Sequence, residues 1–593
     1  MNKMKSFDKD DSSFYDKAPF ISIEERSEES IAGWEKIVIG LKSRIERLEK
    51  ADAVIVINYY PGVNEGELLS HLIQPLGIAN SFNANDLFQA ETDIQRLTYP
   101  DVTDDPVFGR ITQLCINDLF DQEKFYNARK HLKSVNGVKL IFGYGAYFLA
   151  NDPDLLIYAD MPRWELQLRY RRGEISNLGL NNKGEKSSLQ YKRGFFVDWR
   201  MADKLKENTI ARWDYVLDTT KALLPVMISG EAYRHALRKT VQQPFRVVPF
   251  FDPGPWGGQW MKEHFDLDPK EKNYAWCFDC VPEENSLLLK FGDTIFETPS
   301  INLIFLNAEL LLGDAVEARF GKEFPIRFDF LDTIEGGNLS LQVHPTNEFI
   351  KEHFGMAYTQ DESYYILDAK EDACVYLGLK EGISPSEMIS ELNNAQNGKS
   401  PFDVEKFVKK FPVKAHDHIL IPAGTVHCSG KNSMVLEISA TPYIFTFKLW
   451  DWGRMGLDGK PRPINIEYGK EVIDWNRTTP WVKKELINTV QTIASGDGWE
   501  EEKTGLHATE FIETRRHWFS KPVHHYANGS VNVLNLVEGL EAVVESPSGS
   551  FEPLIVHYAE TFIIPANIKE YTIRPYGKSE GKKCTTIKAF IRT

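Results

Sequence analysis

The chain has 593 residues, a formal net charge of −16, and 42% hydrophobic and 26% charged residues. At roughly 100–200 residues per domain, that length needs several separate cores, and the composition excludes disorder as a description of the whole chain. The acidic excess repels phosphate backbones and anionic lipid, so neither nucleic acid nor a membrane surface is an expected partner, whereas a small anionic ligand in a locally basic pocket remains compatible.

Residues 1–20 read as a frayed leader, polar and charged through Ser13 and lacking the apolar stretch of a secretory signal. Over 23–50, apolar positions Ile31, Trp34, Ile37, Val38, Leu41, Ile45 and Leu48 recur every three or four residues, which predicts an amphipathic helix. Residues 51–60 (ADAVIVINYY), Val138 to Phe142 and Leu155 to Ala159 are short apolar runs of buried-strand character. Helical stretches lie between them, one starting at Glu67, so the pattern predicts a parallel sheet with helices on both faces. Residues 160–240 are richer in charge and read as mostly helical, with 163–173 and 210–221 as examples. Near 240 the pattern changes to short strands punctuated by Gly and Pro, interrupted by a charged helical insert at 384–412. The expected organisation is a leader and helix (1–50), an α/β domain (51–240), a metal-binding mainly-β domain of the jelly-roll kind (241–480) and a C-terminal β domain (481–593).

No run of about 18 apolar residues occurs, so no membrane span is expected. Six cysteines do not make a disulfide framework, and the cytoplasm is the expected compartment. Cys277 and Cys280 form a lone Cys-x-x-Cys without the second pair that a structural zinc needs, and they read better as buried strand residues.

After the first strand, Pro61-Gly62-Val63-Asn64-Glu65-Gly66-Glu67-Leu68 occupies the place of a phosphate-binding loop. A working loop needs Lys and Ser or Thr at its end, where this chain has Glu67 and Leu68. A carboxylate there repels polyphosphate, and leucine cannot hold magnesium. The segment from Val138 to Gly173 resembles the second half of nucleoside-kinase-like domains, with Asp160 ending a strand and Arg171 and Arg172 ending a helix. That resemblance implies a kinase-like fold that has lost its activity; the two arginines also read simply as a solvated helix end.

Three later segments carry chemistry. In Gly337-Asn338-Leu339-Ser340-Leu341-Gln342-Val343-His344-Pro345, strand alternation puts Ser340, Gln342 and His344 on one face. Three polar side chains lining a barrel are costly unless something satisfies them, and a metal does so. Glu362, in DESYYILD, offers a hard anionic oxygen, and the Pro-x-Gly turn of Ile421-Pro422-Ala423-Gly424-Thr425-Val426-His427 delivers an imidazole. Two histidines, a glutamate and an amide suit a borderline metal such as zinc.

These segments, with Pro255-Trp256-Gly257-Gly258 upstream and Asp451-Trp452-Gly453-Arg454 and Gly459-Lys460-Pro461-Arg462 downstream, resemble type I mannose-6-phosphate isomerases of the cupin superfamily over about residues 243–593. The resemblance implies one zinc per chain held by Gln342, His344, Glu362 and His427, and contact between Ser340 and the phosphate of a small-molecule sugar phosphate. The implied reaction moves a proton between C1 and C2 of mannose 6-phosphate to give fructose 6-phosphate through an enediol. Glu437 is a candidate for the base, or else a carboxylate that orients a ligand; Arg454 is counted with the catalytic set. Two positions depart from the family pattern. Gln360 stands where a lysine is usual near the substrate, and the usual arginine before Asp451 is replaced by Phe447 or Lys448. A non-catalytic metal-containing sensor of sugar phosphate is the alternative function; a metal-dependent oxygenase is a third, disfavoured by the amide ligand. The oligomeric state is not legible.

Overall fold

The computed structural model describes residues 14–150, 152–440, 445–455, 462 and 464–592. Its first layer is a seven-stranded sheet in the order Ser30–Ala32, Val226–Ser229, Tyr215–Asp218, Leu155–Asp160, Val54–Tyr59, Lys139–Gly143, Asn80–Asn83. The five strands from Tyr215–Asp218 to Asn80–Asn83 run parallel. Val226–Ser229 and Ser30–Ala32 close one edge antiparallel. Buried on both faces, the central strands are continuous apolar runs, as Val54–Tyr59 (VIVINY) shows.

Three expectations for this part need correction. Residues 210–221 are not a helix: a short turn of helix, Ile210–Arg212, gives way to the strand Tyr215–Asp218. A four-residue apolar run carries too little periodicity to separate the two forms. The first long helix spans only Trp34–Glu46, because Gly33 (φ 88°) breaks the chain ahead of it and Ser30–Ala32 pairs as an edge strand. Residues 14–20 are not frayed. Tyr15 is buried, stacks on Phe265 at 4.0 Å and donates to Asp279, while Phe20–Ser22 pairs with Ser286–Phe291. Residues 1–13 lie outside the described residues.

From Phe250 onward the chain forms two double-sheet β units. In the first, a six-stranded sheet (His418–Ile421, Glu362–Ala369, Ser433–Ser439, Arg327–Asp332, Trp276–Cys280, Phe250–Asp252) faces a five-stranded one (Val408–Pro412, Cys374–Leu379, His427–Ser429, Leu341–Val343, Phe447–Trp450). In the second, six strands running from Gln491–Gly496 to Thr561–Ile564 pack with four, Val523–Tyr526 through Leu554–His557. The helical insert holds Pro385–Gln396, capped by Ser384, and Val404–Phe407. It ends sooner than expected, because Val408–Pro412 (VKKFP) is an edge strand on Cys374–Leu379. Cys277 and Cys280 are buried on Trp276–Cys280, and among the described residues no helix is long and apolar enough to cross a membrane.

The α/β layer and the first β unit share one continuous apolar core. Polar side chains of the α/β layer help to hold this arrangement. Asp160 is ion-paired to Lys206 (2.8 and 3.0 Å) and also accepts from Asn302, beyond the α/β sheet, at 2.8 Å. Arg171, though exposed, crosses to Asp252 with two bonds of 2.7 and 2.8 Å, and the exposed Arg172 turns back to Glu165 and Glu174. Glu67 accepts from the Trp34 indole and from the Leu223 amide. Lys206 has no exposed side-chain surface, so Lys206→Met strands the Asp160 carboxylate inside the protein. We expect that substitution to cost about 3–5 kcal/mol in denaturant unfolding, whereas Lys50→Met, on an exposed lysine paired to Asp154, should be near neutral.

Candidate metal centre

Leu341–Val343 is antiparallel to His427–Ser429, with Gln342 directly opposite His427, and to Phe447–Trp450, with Gln342 opposite Lys448. Opposed residues share a face, so Gln342, His427 and Lys448 point into the barrel, while Phe447 points away and packs on Phe108 and Phe349. Glu362 starts the facing strand Glu362–Ala369 and reaches across the interior. The turn that delivers His427 is closed by Thr425, whose amide and hydroxyl both donate to the Pro422 carbonyl. Gly424 (φ 89°) donates to the His344 carbonyl, and a β-carbon there would lie 3.1 Å from the Val472 carbonyl oxygen, so the turn needs glycine.

Each imidazole donates its Nδ1–H to a main-chain carbonyl: His344 to Phe445 at 2.8 Å and His427 to Thr425 at 2.9 Å. That leaves both Nε2 lone pairs turned inward, the tautomer of a metal ligand. His344 Nε2 lies 3.2 Å from Glu362 Oε2, His427 Nε2 lies 2.9 Å from Glu362 Oε1, and the Gln342 amide is 3.2 Å from His427 Nε2. Ligand atoms of His344, Glu362 and His427 all fall within 4.8 Å of one another, and all three side chains are fully buried. His344 Nε2 and Glu362 Oε1 have no hydrogen-bond partner. Buried acceptors facing one another without protons to share are expensive, and a cation at their common focus removes the cost. Two nitrogens, a carboxylate and an amide that can turn its oxygen inward fit a borderline divalent metal. In the absence of one, burial opposes ionisation of Glu362, yet the facing histidines pull its carboxyl well below the usual range. Burial likewise opposes the charged form of His344, but Glu362 outweighs it and raises the imidazole.

Around these three donors the remaining residues fall into two groups. Gln360 is buried and engaged at both ends of its amide, donating to Glu362 Oε2 at 3.0 Å and accepting from the Phe445 amide at 2.9 Å. It therefore braces a ligand carboxylate. Glu437 sits beside it, 3.5 Å from the Gln360 nitrogen, and is paired in register with Asp329 and Tyr364. Burial, then the charges of Glu362 and Asp329, push the Glu437 carboxyl well above its ordinary value. The second group gathers about Asp451. Ser340 donates to it at 2.8 Å, and Arg454 and Arg462 pair with it from other sides. Lys448 stands nearby, its ammonium pushed down to about 8 by burial and then by Arg462. Two arginines thus pair with one carboxylate, beside Ser340 and with Lys448 nearby.

Asp451, Asp329 and the Phe445 main chain were not singled out from sequence. A strand reading R-F-D-F-L-D, with charges alternating among apolar residues, is a usable signal for Asp329; a carbonyl group carries none.

A family model described as a domain of unknown function (DUF8485) matches residues 33–242, short of half the chain. The β region is similar to the mannose-6-phosphate isomerase of Streptococcus mutans, 26% identical over 246 residues, covering 40% of this chain and 72% of that protein. It is also similar to the probable mannose-6-phosphate isomerase GmuF of Bacillus subtilis, 29% identical over 255 residues, covering 43% and 74%. Among solved structures, the mannose 6-phosphate isomerase of Bacillus subtilis aligns with a TM-score of 0.48 and 19% identity, covering 59% of this chain and 99% of that one.

The donor geometry predicts one divalent cation per chain. Adding zinc to chelator-treated protein at a hundred times its Kd should stabilise the fold by about 2.7 kcal/mol, and the shift should vanish in Glu362→Gln. Elemental analysis of protein purified without chelator should give one zinc; iron instead, or no metal, contradicts this assignment.

Proposed function

We propose that the first β unit is a zinc-dependent aldose–ketose isomerase of a hexose phosphate, with mannose 6-phosphate and fructose 6-phosphate as the pair. The observation that carries the reading is the pairing on one strand of a metal-ligand end, Gln342 and His344, with an anion-binding end at Ser340, flanked by Lys448, Arg454 and Arg462. The similarity to named mannose-6-phosphate isomerases supports the same reading.

Zinc held by His344, Glu362, His427 and Gln342 would supply Lewis-acid polarisation of the sugar carbonyl. The chain's own groups do the rest. Glu437, buried beside Glu362, takes the proton from C2 of the aldose and returns it to C1. One carboxylate placed between the two carbons can take the proton and return it. Lys448, on the same face as Gln342, lies where it can meet charge that develops on oxygen, and with its ammonium pushed down to about 8 it can also pass a proton. Ser340 and the two arginines receive the phosphate, which would then compete with Asp451 for their bonds. Gln360 is tied to Glu362, so it positions a ligand more than it meets substrate.

That neutral Gln360, in a position where the related pattern has lysine, favours a second reading in which the site binds sugar phosphate without turning it over. For the α/β layer we propose a fold without phosphotransfer, because Glu67, Asp160, Arg171 and Arg172 are all committed to other partners.

In a coupled assay with zinc-loaded protein, mannose 6-phosphate should be converted to fructose 6-phosphate. Glu437→Gln should lower kcat by roughly 10²–10⁴-fold with little change in KM. Saturable binding of mannose 6-phosphate with no turnover at millimolar substrate would instead establish the sensor. Calorimetry should find no magnesium-dependent ATP binding in the micromolar range; such binding would overturn the proposal for the α/β layer.

A further inference from the structure

The main chain at Phe445 has two duties at the metal centre. Its carbonyl fixes the His344 ring, and its amide holds Gln360, which in turn braces Glu362. What sets the position of Phe445 is its own side chain, fully buried in an aromatic cluster. Phe354 lies 5.1 Å from it, Phe108 stacks on it at 5.8 Å with an interplanar angle of 15°, and Phe196 meets it edge-on at 6.5 Å. Phe108 also packs on Phe354 at 5.4 Å and on Phe447 at 5.2 Å. Phe108 and Phe196 belong to the α/β layer; Phe354, Phe445 and Phe447 belong to the barrel.

The loop that carries Phe108 is built as a rigid wedge. Asp105 accepts from the amides of Val107 and Phe108, both at 2.7 Å, and Thr103 donates its hydroxyl to the Phe108 carbonyl. Lys192 is tied to the carbonyls of Thr103 and Asp105. A β-carbon on Gly109 would lie 2.5 Å from the Asp101 carbonyl oxygen, so the chain passes there with no room to spare. Beyond the wedge, Ile111 donates to the Phe354 carbonyl and Arg110 to that of Glu352, which pins the loop to the barrel. Hydrogen bonds within the α/β layer hold the loop's shape, and its aromatic contacts include Phe445, whose main chain meets His344 and, through Gln360, Glu362.

We infer that Phe108 is a positioning residue for the metal centre, through which the α/β layer holds Phe445, and with it His344 and Glu362, in ligand geometry. The inference rests on the metal-centre reading above. It gives the α/β layer a role in the β unit's chemistry without any chemistry of its own.

The test uses the full chain and zinc itself. Zinc affinity is measured by competition with a chromophoric chelator, and the cobalt-substituted protein is examined by visible absorption. Phe108→Ala should weaken zinc binding roughly tenfold, the low end of what losing a support behind metal ligands costs, and should alter the cobalt spectrum. Phe108→Tyr should restore both. Arg171→Ala, which loosens the interface at Asp252 far from Phe445, should leave both as in the parent. If Phe108→Ala does not fold, Phe108→Leu is read instead, with an expected loss of at least threefold. Zinc affinity within twofold of the parent and an unchanged cobalt spectrum, even alongside a lowered Tm, would make Phe108 an ordinary core residue and overturn the inference. A parent protein that binds no zinc would overturn the metal centre itself, a separate result.

Discussion

A fully buried carboxylate facing two fully buried imidazoles is the constraint around which the barrel is organised. Taking such groups out of water costs several kcal/mol per ion unless their lone pairs and charges are met. The protein meets the outer side of each ring with a main-chain carbonyl and one oxygen of Glu362 with the Gln360 amide. The inner side is left to the two Nε2 atoms, the Glu362 carboxylate and the Gln342 amide. An interior built this way is stable only with a cation or with protons at its centre. The raised His344 and lowered Glu362 describe the protonated alternative, with the imidazolium holding the carboxylate. A divalent ion bound there would take the place of that proton.

In the α/β layer, charged side chains at the strand and helix ends are engaged with one another and with the β unit. Glu67, where a lysine would cradle phosphate, accepts from Trp34 and Leu223 and closes the turn onto the first helix. Asp160, at the end of a central strand, is neutralised by Lys206 and reaches Asn302 of the next layer. Arg171 makes a two-pronged bond to Asp252. These charged residues form the polar part of an interface whose apolar part is the shared core. An aromatic cluster at the interface then meets Phe445, whose carbonyl accepts from His344.

How much of this was legible in the sequence depends on which force decides each element. Alternation along S-L-Q-V-H and the Pro-x-Gly turn before His427 are local signals, and they pointed to four side chains that the fold brings into one cluster. The parallel strands were legible because burial on both faces demands unbroken apolar runs. Tyr215–Asp218 was read as helix because four residues cannot display a period, and its pairing with Leu155–Asp160 is a long-range choice. Tyr15 lies in a polar stretch, and its burial comes from residues distant in sequence, among them Asp279 and Phe265. The choice between Phe447 and Lys448 could not be made from spacing; strand register places Lys448 opposite Gln342. Phe445 was illegible because it acts through its carbonyl and amide, which every residue has.

The central claim is that a divalent metal sits among Gln342, His344, Glu362 and His427 with no sulfur in its coordination. Zinc K-edge X-ray absorption of the loaded protein tests it most directly. The account predicts a low-coordinate nitrogen and oxygen environment at about 2.0–2.2 Å, with the outer scattering of two imidazoles. A sulfur contribution at about 2.3 Å, the distance of a zinc–thiolate bond, would place the metal at cysteines such as Cys277 and Cys280 and contradict the account.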